Sequence, residues 1–196
     1  MRKIISQEER AKKSKRNQII IAIILLSLMI FSTIGYAFVN NTSSTSANEQ
    51  IEYNGIIFVH ESDYWRFIFN NYEFLTRYNP EETSAISLSG SLSLPDYTNV
   101  PLYFVGENGE HFTEIERNLD RFVLRTSRAC LAAELCVENL PIKDCTLDNL
   151  IIYRAFNETT DTTEKIYQQD KCTYIIARAE NQARYADALL FKVLGL

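Results

Sequence analysis

Residues 18–39, QIIIAIILLSLMIFSTIGYAFV, run for 22 positions without a charged side chain. From Ile19 to Met29 the stretch is Ile, Leu, Ala and Met, with Ser27 as its one polar side chain. An apolar helix of about 20 residues matches a hydrocarbon layer roughly 30 Å thick. A helix in a soluble core keeps a polar face, and this stretch has none. Upstream, residues 1–16 hold Arg2, Lys3, Arg10, Lys12, Lys13, Lys15 and Arg16 against Glu8 and Glu9, a net charge of +5. Excess Lys and Arg stay on the cytoplasmic side of a membrane. Residues 1–17 are therefore expected as a cytoplasmic tail, 18–39 as a transmembrane helix, and the rest outside. Tyr36 and Phe38 fall near the outer interface, where amphipathic rings settle.

A cleaved signal peptide is the competing reading. Gly35-Tyr36-Ala37 offers the small residues that signal peptidase needs. The apolar run, however, exceeds the roughly 7–15 residues of a signal core, which favours retention as an anchor. A prepilin site would place Gly or Ala directly after a basic residue, and Lys15-Arg16-Asn17-Gln18 lacks one.

Subtracting tail and anchor from 196 residues leaves about 150, enough for one hydrophobic core. The whole chain is 46% hydrophobic and 23% charged, which excludes wholesale disorder. Beyond residue 16 stand 13 basic and 23 acidic side chains, a net charge of −10. Binding to nucleic acid needs a basic footprint, so no nucleic-acid partner is expected. Residues 40–50, NNTSSTSANEQ, contain Ala47 as their single apolar side chain and read as a flexible spacer. Asn40, Asn41 and Asn157 each begin an Asn-x-Ser/Thr sequon and are candidate glycosylation acceptors. A Ser/Thr/Asn-rich linker also generates sequons by composition alone.

Residues 51–196 read as an α+β domain, mixed α/β in its layout. Ile51–Tyr53 and Ile56–Val59 flank Asn54-Gly55, the pair that suits a tight hairpin turn. Tyr64–Phe69 and Tyr72–Tyr78 are aromatic-rich, with Asn70-Asn71 as a break. Residues 81–98 read as loop with one weak strand, and 101–105 as a short buried strand before Gly106-Glu107-Asn108-Gly109. The spacing of Ile115, Leu119, Phe122, Thr126, Ala129 and Ala133 predicts a helix over 111–134. Strands follow at 150–153, 165–168 and 172–177. A last helix over 181–194 carries Ala186, Leu189, Leu190 and Val193 on one face and stops at Gly195.

All four cysteines, Cys130, Cys136, Cys145 and Cys172, lie beyond the membrane segment. An even number on the oxidising side points to two disulfides, and four cysteines allow three pairings. Pairing 150–153 antiparallel with 165–168 across the turn at 157–162 brings 145 opposite 172. That register favours Cys145–Cys172 and Cys130–Cys136. There is no Cys-x-x-Cys for thiol exchange, and the spacings do not resemble zinc knuckles; neither a metal nor a cofactor is expected.

Chemistry-bearing motifs are sparse. His60-Glu61-Ser62-Asp63 suggests a triad, but neighbours on a strand point to opposite faces and cannot converge. His111 falls at the start of the main helix, where a polar residue needs no special reason. Glu81, Glu82 and Asp96 fit a solvated surface as well as a catalytic role, and no residue is assigned a catalytic role. On the expected helix, Arg117, Arg121, Arg125 and Arg128 share a stripe, with Glu110 and Glu114 towards its start. Such a stripe suits an anionic lipid, an anionic glycan or an acidic partner; equally, it is the solvated face complementing the helix dipole.

Leu140-Pro141-Ile142-Lys143-Asp144-Cys145, Asp170-Lys171-Cys172-Thr173-Tyr174-Ile175 and the ending from Asp187 to Leu196 resemble a group of uncharacterised archaeal single-pass membrane proteins. The resemblance implies an archaeal cell membrane and paired cysteines, and carries no activity. The expectation is a membrane-anchored, extracytoplasmic binding or assembly module whose partners are the bilayer and an envelope protein or anionic glycan or lipid. The alternative is a surface hydrolase using carboxylates. A buried, perturbed carboxylate in a concave pocket would favour the enzyme.

Overall fold

A computed structural model describes residues 17–29, 49–132, 136 and 139–196. The chain divides into two units, Met1–Ala47 and Asn48–Leu196. In the first unit residues 17–29 form helix α1. Its Ile and Leu side chains are exposed all round, from Ile19 at 60% to Met29 at 73%. The hydroxyl of Ser27 donates to the Ile24 carbonyl at 2.8 Å, so the polar group within the apolar run from Ile19 to Met29 is satisfied inside the helix. The thirteen described residues of α1 rise about 20 Å, against a bilayer core of roughly 30 Å. Among the described residues no helix is long and apolar enough to cross a membrane. Residues 30–39 of the expected span, the tail at 1–16 and most of the spacer, with Asn40 and Asn41, lie outside the described residues.

The second unit opens with an antiparallel meander of β1 (Gln50–Tyr53), β2 (Ile56–Glu61), β3 (Tyr64–Phe69) and β4 (Tyr72–Thr76). Its first and last turns put both central residues in the left-handed region: Asn54 and Gly55 at φ 50° and 77°, Asn70 and Asn71 at 51° and 66°. These turns match the twist of the strands, and Asn and Gly tolerate them. Asn70-Asn71, read as a break, is thus a hairpin turn of the same kind as Asn54-Gly55. Alternation puts Phe58, Phe67 and Phe74 opposite one another on the inner face, with ring centroids 4.4 and 5.2 Å apart.

The chain between 77 and 100 holds α2 (Pro80–Thr83), β5 (Leu88–Ser89) and α3 (Leu94–Tyr97). Glu82 and Asp96 are exposed and act as capping-box residues: each bonds back to the residue before its helix, Asn79 and Ser93. Then come β6 (Pro101–Val105), α4 (Glu110–Leu119), β7 (Arg125–Arg128), β8 (Cys130–Leu131), β9 (Ile142–Lys143), β10 (Asn149–Ala155), β11 (Lys165–Gln169), β12 (Cys172–Ala177) and α5 (Gln182–Leu194). Six of these strands form one sheet in the order β5-β11-β12-β10-β6-β7, parallel except for the β11–β12 hairpin. β8 and β9 pair with each other.

The helix expected over 111–134 ends at Leu119. The amides of Phe122 and Val123 both close onto the Leu119 carbonyl, and Arg125–Arg128 then pairs in parallel with β6. Length explains the stop. A ten-residue helix rises about 15 Å, close to the roughly 16 Å of the five-residue β6 it must retrace before the chain re-enters the sheet.

Helix α5 lies between the two sheets. Its Phe191 packs on Phe58 and Phe67 of the meander at 6.0 and 5.9 Å, and its other side shares a core with Ile151, Ile166 and Ile175. Ten of its thirteen residues are buried, Asp187 among them, as a helix covered on both sides requires. Gly195 ends it with φ 80°. The opposite face of the six-stranded sheet, with Tyr103, Leu150, Ile152 and Tyr174, is covered by the segment carrying Ala129, Leu131 and Cys145.

Both expected disulfides form: Cys130–Cys136 and Cys145–Cys172, with Cα–Cα distances of 5.7 and 5.0 Å. The register behind the second differs. β10 and β11 are not neighbours; β12 runs between them, parallel to β10, with Leu150 opposite Cys172. The Asp170-Lys171 turn folds β11 onto β12 locally, and this short loop outcompetes the longer closure at 157–162. Cys145 reaches Cys172 because it precedes β10 at the end where β12 begins.

Loop closure predicts unequal losses on removing the bridges. Cys145→Ser/Cys172→Ser opens a separation of 27 and should cost about 3–4 kcal/mol; Cys130→Ser/Cys136→Ser opens a separation of 6 and should cost about 2. Urea titration of the two variants measures both. Equal losses would contradict the entropic account.

Candidate functional site

Helix α4 buries a polar edge: His111, Glu114 and Asn118 are each at most 1% exposed. Spacings of three and four keep them on one side of the helix. Asn118 accepts from the Leu75 amide at 3.0 Å and donates to the Leu75 carbonyl at 2.7 Å, covering the otherwise open edge of β4. Glu114 meets Arg77 Nε at 3.3 Å and Arg117 Nη1 at 3.0 Å. Arg77 also pairs with Glu110 at 3.0 Å, and both guanidiniums lie over the Tyr64 ring, 5.9 and 4.6 Å from its centroid.

Behind this group lies Asp187, 0% exposed. Its Oδ2 accepts from the amides of Arg77 and Tyr78, both at 2.9 Å. Burial, then the charge of Glu114, raises the Asp187 carboxyl well above its ordinary range, against the pull of the two amides and Arg117. Burial also raises Glu114, opposed by Arg117 and Arg77. Two perturbed carboxylates therefore stand at the junction of β4, α4 and α5.

Next to them runs an open cleft of about 410 Å³, lined by His60, Ser62, Asp63, Tyr64, Arg77 and Tyr78. Glu114 and Asp187 do not line it; Arg77 stands between. Three members of the His60-Glu61-Ser62-Asp63 run border this cleft, while Glu61 points to the other face and pairs with Arg66. No hydrogen bond joins His60, Ser62 and Asp63, and His60 instead packs on Trp65 at 4.8 Å. No triad forms.

His111 lies in the first turn of α4, as expected, and is buried there. Its Nδ1 is 3.0 Å from Gln182 Oε1, and its ring stacks 4.0 Å from that of Tyr153. Gln182 donates its amide to the Tyr153 hydroxyl, which in turn donates to the Ala177 carbonyl. The glutamine therefore presents oxygen to His111, and Nδ1 carries the proton. Burial lowers His111 to about 4, against the bond to Gln182 and one to the Glu107 backbone. A Cβ on Gly109 would sit 2.5 Å from Gln182 Oε1 and 2.8 Å from the imidazole, so only glycine fits. This packed group occupies the carboxyl ends of β6 and β10, where the strand order reverses and open α/β sheets commonly bind ligands. Here side chains fill that position.

The arginine stripe disperses with the helix that defined it. Arg117 belongs to the Glu114 cluster, and Arg121, past the end of α4, lies over Phe74 at 5.5 Å. Arg125 on β7 donates to the Tyr103 hydroxyl at 3.0 Å, and Arg128 to the Gly106 carbonyl at 3.4 Å. Among the described residues no cluster of His, Cys, Asp and Glu could hold a metal ion. The outer face of the meander went unnoticed in the sequence. Ile57 and Ile68 stand there 58% and 62% exposed, beside a groove of about 370 Å³ that Val59 and Arg66 also line. The signal was in the strands: besides the inward aromatics, β2 and β3 carry Ile57, Val59 and Ile68 at outward positions. Comparisons with family models, with curated proteins and with solved structures give no match.

Asp187→Ala leaves two amides without an acceptor and should cost about 2–4 kcal/mol. Asp187→Asn keeps an acceptor and removes the desolvated charge, so at pH 7 it should be neutral or stabilising. Thermal melts of both variants decide; an Asn as damaging as the Ala would mean the charge itself is needed. His111 acts in the opposite pH range. Its folded value lies below the unfolded value of about 6.5, so its contribution is intact above that pH. It is lost as pH falls towards 4, on the order of 3 kcal/mol. Stability measured from pH 7 to 4 should drop in the parent and flatten in His111→Gln.

Proposed function

We propose that the chain is a membrane-anchored extracytoplasmic binding module, held in the bilayer by residues 18–39 with its N-terminus in the cytoplasm, and docking an envelope protein on the outer face of the meander. The archaeal membrane implied by the resemblance belongs to the same proposal. Several observations support it. Helix α1 is apolar on every side, and basic residues precede it. Two disulfides fit an oxidising, extracytoplasmic environment.

The observation that carries the binding function is the pair Ile57 and Ile68. The register that sets Phe58 opposite Phe67 sets these two side by side in solvent. Large apolar side chains adjacent on a sheet face are the usual core of a docking surface, with polar residues as rim. Arg66 beside them is held by Glu61 and by Glu73, the latter at 3.6 Å. With Glu52 this face carries three acids against one base, which disfavours an anionic glycan or lipid and favours a protein.

The hydrolase has less support. A glycosidase-type mechanism needs two carboxylates facing one cleft, roughly 5–10 Å apart. Asp63 is the one carboxylate lining the larger cleft, while Glu114 and Asp187 serve arginines and amides behind it.

Ile57→Lys/Ile68→Lys tests the docking face. Both sites are exposed, so stability should move by about 1 kcal/mol or less. Crosslinking in native membranes should recover a partner with the parent chain and lose it at least about tenfold with the variant. Arg121→Glu/Arg125→Glu should leave recovery unchanged. Equal recovery by the isoleucine variant would move the docking site elsewhere.

A further inference from the structure

We infer that Asn157 is an N-glycan acceptor, modified by a transferase that uses a polyprenyl-phosphate-linked sugar as donor. The inference rests on the extracytoplasmic placement proposed above. Asn157-Glu158-Thr159 lies in the loop between β10 and β11, and all three residues are exposed. Thr159 bonds the Asn157 side chain twice, its amide at 2.9 Å and its hydroxyl at 2.7 Å, both to Oδ1. A backbone N–H can only donate, so the atom facing it is the carbonyl oxygen. Nδ2, the atom a transferase must reach, therefore lies on the other side of the amide. No acceptor holds it among the described residues. The Asn157 amide donates to the Asp161 carboxylate, and its carbonyl accepts from the amides of Thr160 and Asp161. The turn is thus closed on itself, and β10 has already ended at Ala155. Glu158, the middle residue, has a side chain 79% exposed and is not proline.

The transfer balances without redox chemistry. A carbon–nitrogen bond forms between the anomeric carbon and Nδ2, and the bond from that carbon to the donor's phosphate oxygen breaks. The phosphate leaves with the electron pair, and Nδ2 gives up one proton to a base of the transferase. Asn157 lies in a loop of the six-stranded sheet, whereas Ile57 and Ile68 belong to the meander.

Peptide mass spectrometry of the full-length chain, isolated from its own cell membranes under non-reducing conditions, tests the site. The peptide spanning Asn157 should carry one or more sugar residues. The modification should vanish in Asn157→Gln and Thr159→Ala and persist in Thr159→Ser, which keeps the hydroxyl. A bare Asn157 peptide in protein whose Cys145–Cys172 bridge is intact overturns the site and leaves the placement standing. A bare peptide with four free thiols overturns both.

Discussion

Asp187 is a buried acid on a helix covered from both sides, and the position of the meander depends on how its carboxyl group is satisfied. Burying an unpaired carboxylate is costly, so the group either binds donors or takes a proton. Here the donors are the amides of Arg77 and Tyr78, at the point where the meander ends and the chain turns into α2. The contact joins residues 110 and 109 positions apart in sequence, and its geometry leaves little freedom in how β4 meets α5. Glu114 and Asn118 on α4 then complete the junction, one by holding Arg77 and Arg117, the other by sealing the β4 edge at Leu75. Polar groups thus set the orientation of a layer whose cohesion comes from phenylalanine packing.

The two faces of the six-stranded sheet are secured by different means. On one face, α5 and the apolar side of α4, with Phe112, Ile115 and Leu119, bury a broad surface. On the other, the described residues between 129 and 148 supply a few apolar side chains and the short β8–β9 pairing. Disulfides compensate for the small core, as they do in secreted domains with little surface to bury. Cys145 and Cys172 are both part of that second core, so the bridge is a packing element as well as a tether.

Residues that look catalytic in a list lose that character in place. Perturbed carboxylates often mark active sites, but structural ion pairs perturb carboxylates equally. Glu114 fits the second class, with both oxygens facing arginines; Asp187 turns Oδ2 to two amides and leaves Oδ1 without a hydrogen-bond partner among the described residues, and neither residue lines the open cleft. Ile57 and Ile68 show the reverse. Nothing in their chemistry is unusual, and only their exposure on a finished sheet singles them out.

Features set by neighbours in sequence were legible in it. The Asn54-Gly55 turn, the period-two aromatics of β2 and β3, the strand at 101–105, the Gly195 stop and the existence of two disulfides follow from local backbone and side-chain preferences. What required tertiary structure was every choice between locally similar options. Residues 120–134 keep a helical spacing, yet the chain leaves the helix at Leu119 because β7 must start level with β6. Residues 165–169 pair with the strand that follows rather than the one that precedes, because a two-residue turn closes at lower entropic cost than the loop at 157–162. The polar edge of α4 reads as surface until α5 and β4 cover it. Local propensity scores each segment against water, whereas the fold scores it against the layers it must touch.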